Sequence, residues 1–102
     1  MAYHSTDVYG ITHINPDEAI LRDVLEGVFD AEDVPHPDAS IMHDSGWILT
    51  YSHSRCLILE HADNDQIRLL RNVLPNQALQ YWYWLARGQI TALLNLEWVD
   101  NV

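Results

Sequence analysis

The sequence predicts a small α+β domain in which one helix precedes an antiparallel sheet of three or four strands and two further helices follow. A capped amphipathic segment spans residues 16–30, three runs rich in β-branched and aromatic residues follow between 40 and 61, and helical spacing returns after 61. Since 102 residues leave room for one modest core, we expect a single domain over residues 1–102.

The first helix is expected at about residues 16 to 30. Asn15 is a favoured N-cap residue, Pro16 suits the first helical position, and Glu18 lies three residues after the cap. At about 100° per residue, five apolar side chains share one broad face: Ile20, Leu21, Val24, Leu25 and Val28. This spacing predicts an amphipathic helix packed on a core.

The sheet is expected from the segments SIMH, GWILTY and RCLILEH, which form a three-stranded meander. The segment VYGITHI, residues 8–14, is a candidate for a further short strand. A three-residue turn at Asp44–Gly46 would pair His43 with Trp47, and a two- or four-residue loop within 52–55 would pair Trp47 with Glu60.

The C-terminal part is expected to contain two helices. Residues 62–73 show helical spacing, and a second helix is expected over about 75–87 with Gly88 just beyond its end. The segment 90–99 is ambiguous, because its apolar residues alternate as in a strand while Ala, Leu and Glu favour a helix. We favour the strand.

Four adjacent aromatic residues, Tyr81 to Trp84, cannot all face the same side of a helix. Helical spacing surrounds Trp82 with apolar side chains, so we expect it in the core. Trp84 falls on the polar side near Arg87, which could stack on its indole. Trp84 is therefore either covered by another element or an exposed anchor for a partner.

Charge narrows the class of partner. Lys plus Arg is 5 and Asp plus Glu is 15, which gives a formal net charge of −10 at pH 7. Such a surface repels phosphates, so we expect no nucleic acid partner. The acidic balance is also explained by simple solubility or by adaptation to salt. The remaining explanation is attraction to a basic partner protein.

Three carboxylates on the first helix form the surface on which that partner would bind. Asp23, Glu26 and Asp30 share one side of the helix, and we call them the acidic ridge. With Trp84 and Arg87 they are the predicted partner-binding residues. The leading hypothesis is a non-enzymatic protein-binding module that neutralises or regulates a basic partner, as immunity and inhibitor proteins do.

Two other classes of function stay open. A small enzyme or ligand-binding domain would use His43, Trp47 and Glu60, since a His and a carboxylate in one cross-strand row could serve as an acid–base pair. A structural subunit would form a homodimer or larger homo-oligomer through the side of Trp84. The sequence contains no HExxH or paired CxxC motif and no Gly-rich phosphate loop, so no metal site and no cofactor are predicted.

The remaining features concern the compartment. The single cysteine, Cys56, cannot form an internal disulfide, which is typical of a reducing compartment. The first ten residues lack the basic and apolar regions of a signal peptide, and no apolar run approaches 18 residues. We expect a cytoplasmic protein that neither spans nor binds a membrane.

Overall fold

The computed structural model describes residues 2–100, apart from the side chains of residues 64–66 and 100. Its helices are α1 (Glu18–Asp30), α2 (Pro75–Ala86) and α3 (Ile90–Leu94). Its strands are β1 (Tyr3–Thr6), β2 (Thr12–Ile14), β3 (Asp38–His43), β4 (Trp47–Ser52), β5 (Leu57–His61), β6 (Asn64–Leu70) and β7 (Val99–Asp100). Within these residues, every helix is too short or too polar to span a bilayer.

All seven strands of the described region join one antiparallel sheet in the order β2-β1-β3-β4-β5-β6-β7. Helices α1 and α2 pack on one face of this sheet, where alternate strand residues are fully buried. The core at this interface contains these side chains: Leu21, Leu25 and Val28 of α1, Ile41, Leu49, Tyr51, Leu57 and Leu59 of the sheet, and Ala78, Trp82 and Leu85 of α2. The opposite face carries no helix in the described region.

The α+β class and the β3–β4–β5 meander are confirmed. The predicted helix at about 75–87 is also confirmed as α2, and Gly88 follows it with a φ of 74°. That left-handed backbone is the conformation for which glycine is favoured at the end of a helix.

The predicted helix over 62–73 is wrong, because most of this segment forms strand β6. Leu70 pairs with Leu57 and Leu69 with Ile58, so β6 extends the meander across the sheet. The short segment Ile67–Leu70, which is apolar apart from Arg68, fits a strand or a helix equally well by spacing alone, and pairing with β5 decides for the strand. Strand β1 was also missed, so the sheet is larger than the predicted three or four strands.

The preference for a strand over 90–99 is wrong in its first half. Residues 90–94 form the short helix α3, which buries Leu93, and only Val99 and Asp100 pair with β6. The Trp98 indole N–H donates to the Leu93 carbonyl at 2.7 Å. The apparent alternation therefore came from a one-turn helix followed by a loop.

Helix α1 begins two residues later than predicted, and its cap is a different residue. Asp17 is the N-cap, and its Oδ1 accepts from the backbone N–H of Ile20 at 3.0 Å. Asn15 has a φ of 45° and instead pairs with Tyr3, whose N–H donates to the Asn15 side chain at 3.0 Å. Asn15 thus closes the β1–β2 pairing, and its proposed capping role is wrong.

We predict that Asp17→Ala lowers the free energy of unfolding by about 1 kcal/mol, because it removes the acceptor for a first-turn N–H of α1. Asp17→Asn is the matched control, since an asparagine side chain offers the same acceptor without the charge. Urea unfolding of the three proteins measures both effects. Equal losses for the two variants would show that charge, rather than the cap, accounts for the stabilisation.

The two tryptophans of α2 differ in burial, and the predicted core position of Trp82 is confirmed. Its side chain is completely buried, and no acceptor among the described residues lies within hydrogen-bonding distance of its Nε1. Trp84 is half-buried against the core, and its ring lies 5.1 Å from that of Tyr81. Arg87 lies over the ring of Tyr83 at 5.5 Å, so it stacks on Tyr83 and not on Trp84, where it could have stacked by helical spacing.

We predict that Trp82→Ala costs about 3–5 kcal/mol, because it leaves a large cavity between α2 and the sheet. Trp84→Ala should cost under about 2 kcal/mol, since part of that ring is already exposed to water. Trp82→Phe is the control that keeps a ring and removes an unpaired N–H. Thermal and urea unfolding compare the three variants, and equal losses for the two alanine variants would contradict the assignment.

Candidate functional site

The acidic ridge lies on the outer side of α1. This helix buries Leu21, Val24, Leu25 and Val28 against the sheet, which leaves its other side in solvent. Asp23, Glu26 and Asp30 are all exposed there. Their positions follow directly from the apolar spacing that produces the buried face.

A cleft of about 360 Å³ lies beside the ridge, between α1 and the loop that joins β1 to β2. Its lining residues are Asp7, Val8, Tyr9 and His13 on the loop side and Ile20, Asp23, Val24 and Gly27 on the helix side. Asp23 thus belongs both to the ridge and to the cleft. The walls are mainly apolar, and the carboxylates of Asp7 and Asp23 lie among them, so the cleft suits a group that is both apolar and positively charged.

Asp7 holds the loop side of the cleft in place. Its Oδ1 accepts from the N–H groups of Tyr9 at 2.9 Å and Ile11 at 3.0 Å, and its Oδ2 lies 3.2 Å from His13 Nε2. Gly10 completes the turn with a φ of 81° and donates its N–H to the Asp7 carbonyl at 3.0 Å. One carboxylate therefore fixes both the turn and the histidine.

Hydrogen bonds lower the pKa of Asp7. Burial acts first and in the opposite direction, because it disfavours the charged form. The N–H of Ile11, His13 and the N–H of Tyr9 stabilise the carboxylate, as does charge on His13, and together they outweigh burial. The pKa of the neighbouring Tyr9 hydroxyl is raised, first by the charge of Asp33, to which it donates at 3.3 Å.

The lowered pKa of Asp7 predicts an acid-sensitive loop. Its contribution to stability is complete above the unfolded value of about 4 and is lost as the pH falls through the lower folded value. We expect Asp7→Asn to lower the free energy of unfolding near neutral pH and to flatten its fall between about pH 5 and 3. Urea unfolding across that range measures the slope.

Asp23→Asn is the matched control, because Asp23 lines the same cleft but is exposed to solvent. An exposed carboxylate contributes little, so its slope should remain close to that of the wild type. A parallel fall in the wild type and Asp7→Asn would show that other groups control the acid response.

Trp84 and Arg87 lie apart from this cleft. The Arg87 guanidinium approaches Glu18, at the start of α1, with Nη2 3.6 Å from Oε1. Arg87 lines a second depression, which also contains Glu18 and Tyr83 and shares no lining residue with the acidic cleft. The structure therefore does not unite the predicted partner-binding residues in one surface.

The structure also separates the proposed acid–base pair. His43 faces the helices and is 2% exposed, and its Nδ1 accepts from the N–H of Ser45 at 3.1 Å. Trp47 pairs with His61, whereas Glu60 pairs with Ile48 and so lies on the other face of the sheet. The predicted pairing of Trp47 with Glu60 is wrong by one residue.

The cause is the loop between β4 and β5. It contains three residues, because the N–H of Ser52 donates to the Cys56 carbonyl across residues 53–55. Arg55 takes the left-handed position of this loop with a φ of 64°. A loop of two or four residues would have given the predicted pairing.

Other chemical groups offer no stronger site. Among the residues whose side chains are described, no cluster of three or more His, Cys, Asp or Glu could hold a metal ion. Burial raises the pKa of the Cys56 thiol against the opposing charge of Arg71, which disfavours the reactive thiolate.

Sequence reasoning missed the loop side of the cleft. Asp7 followed by Gly10 is a turn signal, because an Asp side chain often accepts from N–H groups further along a turn and glycine tolerates a positive φ.

The sequence matches no protein-family model, and no curated protein or solved structure shows significant similarity to it.

Proposed function

We propose that the protein is a small acidic, non-enzymatic module that binds a basic partner protein through the acidic ridge and the adjoining cleft. The observation that carries this proposal is the double role of Asp23, which lies on the exposed ridge and in the wall of an apolar cleft. A partner Arg or Lys side chain could lay its aliphatic stem along Ile20 and Val24 and direct its charge to Asp23.

Apolar side chains around the cleft support a protein partner over a small ion. Tyr9 is 61% exposed, Ile11 57% and Ile20 38%. Exposed aromatic and aliphatic groups beside charged ones are the mixture found at protein interfaces. These residues replace Trp84 and Arg87 in the proposal, because Trp84 is half-buried and Arg87 contacts Glu18 and Tyr83.

The negative net charge of this protein indicates that its partner is positively charged. A molecule with a charge of −10 attracts positively charged proteins over a Debye length and raises their association rate, most strongly at low salt. Small immunity and inhibitor proteins neutralise basic partners by the same physics. That comparison rests on size and charge.

The first experiment isolates the partner and measures its binding. Wild-type protein and a variant with Asp23→Asn, Glu26→Gln and Asp30→Asn are immobilised side by side, and a basic protein should be retained by the wild type alone. In stopped-flow measurements the variant should associate at least about fivefold more slowly at low ionic strength, with a flatter salt dependence. Its stability should barely change, because exposed charges contribute little.

A matched control removes the same number of charges elsewhere. Asp38→Asn, Asp63→Asn and Glu97→Gln also change two Asp and one Glu at exposed positions outside α1. The control should retain the partner and associate faster than the ridge variant. If the two triple variants associate at equal rates, net charge alone accounts for the binding and the ridge has no specific role. If the wild type retains no basic protein, the proposal is contradicted.

A further inference from the structure

One face of the sheet points away from α1 and α2, and we call it the open face. Many of its side chains are arranged in two cross-strand rows. The first row runs through residues paired from β2 to β5, namely Ile14, His4, Met42, Ile48 and Glu60. The second row crosses all seven strands through Thr12, Thr6, Ser40, Thr50, Ile58, Leu69 and Val99. Paired residues point to the same face, so each row is a continuous line of side chains.

Aliphatic side chains of the open face remain outside the core. Ile14 is 72% exposed and Val99 64%, while Met42, Ile48, Ile58 and Leu69 are half-buried by their neighbours in the sheet. None of these six belongs to the core cluster or packs against it. They form an apolar band across a face that nothing in the described region covers, and such a band is unusual for a surface facing only water.

The low charge of the open face favours a second copy of the chain over a basic partner as the occupant. His4 and Glu60 are the only ionisable side chains in the two rows, and Asp38, which pairs with Ser52 beyond them at the start of β3, adds a second carboxylate to this face, although the whole molecule carries −10. A basic partner would gain nothing specific from such a face. A second copy can dock there, because the strongly acidic surfaces of both molecules then point away from the contact.

The size of the open face also fits a second copy. Six spacings of about 4.8 Å across seven strands and an average strand length of about five residues give roughly 29 Å by 16 Å. Two such faces bring together about 900 Å² in projection, and more when the corrugated side chains are included. That value lies below the range of stable specific interfaces and within the range of transient ones, so it is appropriate for a weak, reversible dimer.

We propose that two copies of the chain associate through their open faces, forming a symmetric dimer in which two sheets pack as a sandwich. Packed sheets align their strands at about −30°, so the aliphatic band of one copy can cross that of the other around a twofold axis. The helices, including α1, lie on the outside of this dimer.

Salt distinguishes this contact from the binding of a basic partner. Two molecules of like charge repel each other, and added salt screens that repulsion while it strengthens apolar burial. Raising the salt from about 50 mM to about 500 mM should therefore tighten the dimer severalfold. The same change should weaken a complex held by the acidic ridge.

Sedimentation equilibrium across a concentration series tests the proposal. Ile58→Lys should raise the dissociation constant of the dimer by at least about tenfold, because a lysine at the centre of the band would be desolvated against the facing sheet. Ile20→Lys is the matched control, since it makes the same change at a half-exposed site on α1 and should leave the constant unchanged. Thermal unfolding of dilute samples verifies that both variants fold.

Wild-type protein provides a second measurement that does not depend on any variant. The methyl resonances of Ile48, Ile58 and Leu69 should shift on dilution, and those of Ile20 and Leu21 should not. A protein that stays monomeric to about 1 mM in about 500 mM salt, or an Ile20→Lys variant that weakens the dimer as much as Ile58→Lys, would overturn the proposal.

Discussion

The packing of a single face of the sheet against Trp82 and the buried side of α1 is the constraint on which the other features depend. Ile41, Leu49 and Leu59 reach this interface only because three neighbouring strands turn the same alternate residues inward. A shift of one residue in any strand would exchange its inward and outward side chains. The lengths of the hairpin loops therefore decide which groups are buried with Trp82 and which remain available on the open face.

This dependence explains how much of the fold could be predicted. Gly46 indicated the three-residue turn between β3 and β4, because glycine is favoured at its φ of 95°. The pairing of β3 with β4 was therefore predicted correctly. Arg55 occupies the equivalent position with a φ of 64°, yet arginine carries no such signal. The register of β5 was therefore wrong by one, and Glu60 was assigned to the face of His43.

The candidate site shows the same division between local and long-range information. The ridge carboxylates Asp23, Glu26 and Asp30 were predictable, because helical spacing alone separates them from the buried side. The opposite wall of the cleft was not predictable, since Asp7 and His13 reach α1 only through the pairing of β1 with β2 and β3. Local spacing identified a charged helix face, whereas the cleft beside it depends on contacts between segments distant in the sequence.

The two proposed surfaces are compatible because the two-layer architecture separates them. The ridge belongs to the helical layer, and the open face is the other side of the sheet, so the same chain can use both without competition. Their electrostatics also differ: carboxylates concentrate near α1, while the two open-face rows contain one carboxylate. Association through the open faces would place two acidic ridges on opposite outer surfaces of a dimer. A dimer built in this way would present two equivalent sites to a basic partner, and occupying one ridge would neutralise part of the charge that opposes self-association. Partner binding and dimerisation would therefore reinforce each other through reduced repulsion, without any change in the structure of either surface.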